Sequence, residues 1–305
     1  MPSPQTPWSE SDLQRLQQAV ARLEAPSLTL KITQVLGSPI EKALARLPSS
    51  ARAGLQQATR LALEKAVDVA FSSLGEAGPT PPAPAQAPAA TATAFWRWRP
   101  STSQRQSASE WGHKVAVGVS GAVGGWLGPV STLAELPAST LLILRAIADV
   151  ARSEGADLRD PAVKAECLAV FALGSPSPSD DATESAYYAA RAATALLVRE
   201  AGVALGQLAA QQAAQQVGGS LATRALSRVL EAAASRFGVV ITEKVAAQSV
   251  PVLGAVTGAA LNTLFMSHFQ AVARGHFVVQ QLEARYGSEA VQQRYESLRR
   301  APPTR

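Results

Sequence analysis

Two uncharged, glycine-punctuated stretches, residues 115–134 and 245–267, constrain this chain more than any other feature. A bilayer-spanning helix needs about 20 mainly apolar residues, and both stretches are that long. Yet the first carries glycines at 118, 121, 124, 125 and 128 together with Pro129, and the second carries Gln248, Pro251 and Asn262. Neither pattern suits a stable apolar span. Gly121/Gly125 and Gly124/Gly128 form G-x-x-x-G pairs, and Gly254/Gly258, flanked by Ala255/Ala259, repeats the device. Four-residue spacing lines small residues along one helix face and lets a second backbone approach closely. The expectation is a tightly apposed pair of central helical segments, with tight packing inside a bundle leading over shallow or re-entrant membrane embedding.

The rest of the sequence reads as helix. Of 305 residues, 47% are hydrophobic but only 5% aromatic, and much of the apolar share is alanine, the strongest helix former. No period-two strand pattern occurs. Ser9 reads as an N-cap before Glu10 and Asp12, with Trp8 placed to staple onto Leu13, and Leu13, Leu16, Val20 and Leu23 form one stripe that Pro26 ends. Further helices are predicted over residues 40–47 and 50–74, the latter with Leu55, Ala62, Ala66, Val69 and Phe71 inside. Pro137 is predicted to begin a buried helix through Ala151, and Asp160-Pro161 to cap and start another that carries Cys167 and Phe171. After a polar loop at 174–181, helices follow over 182–200, 203–216 and 219–236, and a last one ends at Tyr286.

The fold class is therefore all-α, a multi-helix bundle with two Gly/Ala-rich central segments. Prolines at 79, 81, 82, 84 and 88 exclude regular helix and divide the chain into an N-terminal helical unit (1–75), a Pro/Ala-rich linker (76–94), a helical core (95–287) and a C-terminal tail (288–305).

Several motifs carry a resemblance. In the N-terminal unit these are Leu23-Glu24-Ala25-Pro26-Ser27-Leu28, Gly37-Ser38-Pro39-Ile40-Glu41 and Leu47-Pro48. In the core they are Gly124-Gly125-Trp126-Leu127-Gly128, Leu136-Pro137, Leu144-Arg145-Ala146-Ile147-Ala148, Asp160-Pro161, and the run from Val250-Pro251-Val252-Leu253-Gly254 to Asn262. Their order and spacing resemble the EcsC protein family. The resemblance implies a helical, bacterial-type protein from a family named for a gene that accompanies an ABC-type transporter operon, with no established activity. Glu135 stands where that family often has Asp before the Leu-Pro step.

Chemistry-bearing motifs are sparse. There is no P-loop and no dinucleotide fingerprint, and Val117-Gly118-Val119-Ser120-Gly121-Ala122 lacks both the last glycine and the preceding strand of a nucleophile elbow. The three histidines, His113, His268 and His276, lack metal-ligand spacing, so no metal and no cofactor is expected. Cys167 is the sole cysteine, which excludes an internal disulfide and fits a reducing compartment. Arg145 interrupts an apolar helix, where an unpaired charge would cost several kcal/mol. A polar cluster of Glu135, Arg145, Asp149 and Asn262 is the expected answer.

Net charge is +5 with a pI near 9.7, which suits anionic surfaces. No nucleic-acid motif accompanies it. Trp96, Arg97, Trp98 and Arg99 are candidates for membrane-surface contact, since tryptophan favours the headgroup level and arginine attracts anionic lipid. No basic n-region or apolar h-region opens the chain, so the expected location is the cytoplasm, peripheral or shallowly embedded at the inner face of the cell membrane. The leading expectation is a non-catalytic accessory to a transport or envelope process, with an anionic membrane or a transporter component as partner. The alternative is an enzyme or small-ligand binder using Glu135, Arg145 and Asn262.

Overall fold

The structure is a computed structural model that describes residues 7–25, 47–74, 129–175, 185–213, 220–248 and 254–300. Among the described residues there are eight α-helices and no strand: α1 (Glu10–Leu23), α2 (Ser49–Leu74), α3 (Pro129–Ser153), α4 (Pro161–Leu173), α5 (Ala186–Ala213), α6 (Ser220–Gln248), α7 (Gly254–Tyr286) and α8 (Ser288–Arg300). The all-α expectation holds. Residues 40–46 of the helix predicted at 40–47, the linker, Trp96, Arg97, Trp98, Arg99 and the glycines Gly121, Gly124, Gly125 and Gly128 lie outside the described residues.

The helix boundaries follow local chemistry at several points. Ser9 Oγ accepts from the Asp12 backbone N–H at 3.1 Å, the expected cap. Asp160 likewise accepts from Ala162 N–H at 2.9 Å with Pro161 in the first turn. Between α7 and α8 the chain turns at Gly287, whose φ of +89° favours glycine. Its N–H closes on the Glu283 carbonyl at 2.9 Å. Residues 288–300, set aside from sequence as a tail, thus fold back as a helix that buries Val291 and Tyr295.

Two boundaries differ from the sequence reading. Pro137 does not start α3 but lies inside it, eight residues after Pro129. Proline removes one backbone donor and disfavours a helix interior, so packing sustains the helix here: Leu136, Ile143, Leu144 and Ile147 are all buried on it. Likewise no break separates residues 200 and 203, because α5 runs unbroken through Gly202. A Cβ at Gly202 would stand 3.1 Å from Ala162 Cα, so this glycine serves the close approach of α5 to the start of α4 rather than a helix end. In the second uncharged stretch the described helices are α6, to Gln248, and α7, from Gly254, and residues 249–253 lie outside the described residues. Gly254 and Gly258 fall in the first turns of α7.

Short α4 sits at the centre. Nine of its thirteen residues are buried, and it packs against α3, α5, α6 and α7. Phe171 on α4 meets Phe237 of α6 edge-on at 4.8 Å and Phe269 of α7 at 5.3 Å. Leu55, Ala62 and Leu63 of α2 join the same core, with Ile143 and Ile147 from α3. A second, smaller core unites Leu16 and Val20 of α1, Tyr187 of α5, Val279 and Leu282 of α7, and Tyr295 of α8. Trp8 stacks on Tyr286 at 4.1 Å, an aromatic partner far along the chain that the sequence does not suggest.

Candidate functional site: a buried polar network beside a cavity

Where α4, α5 and α7 meet, charged and hydroxyl groups penetrate the core. Glu166 enters from α4, and its Oε2 lies 2.9 Å from His276 Nε2 of α7. His276 is fully buried, and its Nδ1 lies 3.0 Å from the Tyr187 hydroxyl of α5. Burial alone would raise the Glu166 pKa, but the hydrogen bond from His276 and nearby positive charge outweigh it and hold the carboxyl below its ordinary value. Burial pushes Tyr187 upward, so the phenol keeps its proton. The two ring nitrogens of His276 are thus held between the phenol of Tyr187 at Nδ1 and the carboxylate of Glu166 at Nε2.

A turn away, Arg191 of α5 holds Glu283 of α7 through both Nη atoms, each at 2.7 Å. This two-pronged geometry is the strongest arrangement for a guanidinium and a carboxylate. Tyr188 also donates to Glu283 at 3.2 Å, and burial together with the Glu283 charge pushes its pKa up. The Gln280 amide is buried beside Glu166 and helps to hold its pKa down.

This network borders a cavity of about 430 Å³, within the range that holds small ligands. Pro161, Ala162, Leu173, Val198 and Val203 supply its apolar wall. Glu166, Arg191 and Thr194 are among its polar residues, and Asp160, Ala195, Arg199 and Gly202 complete the lining. The apolar wall follows from the same packing that keeps Gly202 small, since α5 lies close against the first turn of α4. A second hollow of about 490 Å³ shares Arg191 and reaches Ser288, Gln292 and Arg300 on α8.

The residues singled out from sequence fall elsewhere. Arg145 and Asp149 are half-buried on α3, and Asn262 is buried on α7. Asp149 lies 3.4 Å from Arg152 on the same helix. The Glu135 side chain is outside the described residues. Arg145, Asp149 and Asn262 do not line the cavity beside Glu166. Cys167 is sealed in the main core and burial drives its pKa up, which leaves a thiol rather than a nucleophile. His268 and His276 are both core histidines, His268 bonded to the Gly174 carbonyl at 2.6 Å. Among the described residues no group of His, Cys, Asp and Glu could hold a metal ion, and no helix is long and apolar enough to cross a membrane.

Fold and site together define an all-α bundle with a polar network opening on a ligand-sized cavity. The chain belongs to the EcsC protein family, which it matches over residues 10–280. No curated protein and no solved structure matches it.

Proposed function

We propose that this EcsC-family chain is a non-catalytic binding protein that takes a small amphipathic molecule into the cavity between α4 and α5. The observation that carries this reading is the meeting, in one 430 Å³ space, of an aliphatic wall with a polar end built on Glu166 and Arg191. Pockets of this composition bind through apolar burial and orient through a few fixed polar groups. Catalysis is disfavoured because the reactive candidates are engaged or sealed: both His276 ring nitrogens have partners, and Cys167 and Tyr187 are buried. In this reading the ligand contacts Glu166 and Arg191 rather than Glu135, Arg145, Asp149 or Asn262. The test is native mass spectrometry of the full chain purified without detergent. A small-molecule adduct is expected on the wild type and should vanish in Ala195→Trp, which fills the cavity from an exposed position. Identical spectra for the two proteins would sink the reading.

A second reading, peripheral work at an anionic membrane as an accessory to a transport or envelope process, draws on the net charge of +5 and the Trp96-Arg97-Trp98-Arg99 segment. It also draws on α5, where Leu196 and Val203, one heptad apart, are 60% and 57% exposed. Flotation with anionic vesicles should carry the full chain upward at low salt and release it at high salt. Failure to float at low salt ends this reading.

A further inference from the structure

The polar end of the cavity is unequal in its hydrogen-bonding capacity, and the inequality points to a ligand class. Glu166 is ionised, gives Oε2 to His276 with the Gln280 amide beside it, and lines the cavity with 12% of its side chain exposed. Arg191 looks like the natural seat for an anion, but both its Nη atoms are committed to Glu283 at 2.7 Å. Thr194 spends its hydroxyl hydrogen on the Ala190 carbonyl at 2.9 Å, so only its lone pairs remain. Asp160 adds a further carboxylate, and Arg199 lines the cavity from an exposed position. Counting Glu283, three carboxylates surround two guanidinium groups. An anion entering this space would meet the Glu166 and Asp160 carboxylates, while the charge of Arg191, which keeps further N–H groups, is already answered by the two-pronged bond to Glu283. A donor bearing positive charge would find Glu166 waiting.

We propose that the molecule taken up is an amphipathic amine, an alkylammonium or arylalkylammonium whose N–H groups donate to Glu166 while its apolar body lies along Pro161, Val198 and Val203. This rests on the cavity-binding reading above and adds the sign of the headgroup. No covalent step is involved. The Glu166–His276–Tyr187 chain keeps the carboxylate aimed and charged, and Glu283 offsets the charge of Arg191.

Calorimetry of the full chain at pH 7 with decylamine, decanol and decanoate, each below its micellar concentration, tests the proposal. Decylamine should bind at least about tenfold more tightly than the other two, the factor expected of one hydrogen bond to a charged group. Glu166→Gln should lower decylamine to the affinity of decanol and leave decanol unchanged, and Ala195→Trp should abolish binding of all three. Equal binding of the three ligands, or a preference for decanoate, overturns the amine and leaves the cavity reading standing. Binding of none overturns both. A decylamine preference that survives in folded Glu166→Gln overturns the assignment to Glu166. Circular dichroism checks the fold of each variant. Should Glu166→Gln not fold, the three-ligand comparison on the wild type decides the headgroup, and Thr194→Val, which removes an acceptor, should cost decylamine affinity and spare decanol.

Discussion

The two cores of this bundle are built from different materials. The main core, around Phe171, Phe237 and Phe269, is aliphatic and phenylalanine-rich, and it gains its stability from volume and close fit. The smaller core, where α1, α5, α7 and α8 meet, is rich in tyrosine, and each carboxylate entering it is answered by a hydroxyl. Glu24 accepts from Tyr295 and from Ser185, both at 2.7 Å. Asp12 accepts from Tyr286 at 2.7 Å and from Arg285 at 2.6 Å, and Glu283 from Tyr188 and Arg191. The contrast teaches that the first core makes the bundle and the second joins its ends. The candidate site lies on the seam between them, where Glu166 of α4 bonds His276, which in turn bonds Tyr187 of the smaller core.

Truncation should expose the contrast most strongly in the main core. Phe171→Ala removes a fully buried ring with two aromatic neighbours and should cost about 3–5 kcal/mol, read from urea unfolding at unchanged m-value. A loss near 1 kcal/mol would mean that the core collapses around the gap.

On the seam the prediction concerns pairing. His276→Leu leaves the Glu166 carboxylate buried without its donor and should destabilise by about 3 kcal/mol, whereas Glu166→Leu/His276→Leu together should recover much of that loss. Additive losses in the double variant would show that the pair does not act as a unit.

In the tyrosine core the effects are smaller and depend on pH. Burial raises the Asp12 pKa, but bonds from Tyr286, Arg285 and Ser9 outweigh it and bring the folded value below the ordinary 3.8. Its stabilisation is thus complete above the unfolded pKa and is lost as pH falls through the folded one. Asp12→Asn should cost about 1–2 kcal/mol at pH 7 and flatten the acid limb of a stability profile run down to pH 2. Glu154 has the opposite sign. Burial lifts its pKa above 4.5 despite Arg15 at 3.0 Å, so its ionisation weakens the fold as pH rises through the folded value. A steeper acid limb in Asp12→Asn would overturn this assignment.

The smallest effects separate crowded from open backbone. Gly54→Ala has nothing within 4 Å of the new Cβ and should stabilise α2 by about 0.5–1 kcal/mol. Gly202→Ala meets Ala162 Cα at 3.1 Å and should gain nothing or lose about 1 kcal/mol, as thermal unfolding of the two variants side by side would reveal. Equal gains would mean that α4 and α5 separate without cost.

Much of the fold is legible in the sequence because its signals are local. Ser9, Asp160-Pro161 and the absence of alternation act within a turn or two of themselves. Pro137 and Gly202 mislead for the reason that local signals generally fail: packing against distant helices overrides propensity. The site is far less legible. Its pairs join residues 110, 92 and 89 positions apart, and no local pattern encodes such distances. One signal was available. Glu166, alone in the apolar run from residue 165 to 173, is the same kind of anomaly as Arg145, and a buried charge on a short central helix calls for a partner just as firmly.

The joining of α1 to α7 and α8 also sets an order in time. Asp12 and Tyr286, which hydrogen-bond across the smaller core, are 274 residues apart. At 5–20 residues per second of synthesis, α1 waits roughly 15 to 55 s for the partners that cover Leu16 and Val20. The part of the larger core that α2 to α6 supply precedes α7 and α8 in the chain and can begin to consolidate within that interval. Completion of the tyrosine core, and with it the aiming of His276 toward Glu166, is then a late event that couples the competence of the cavity to the arrival of the last helices.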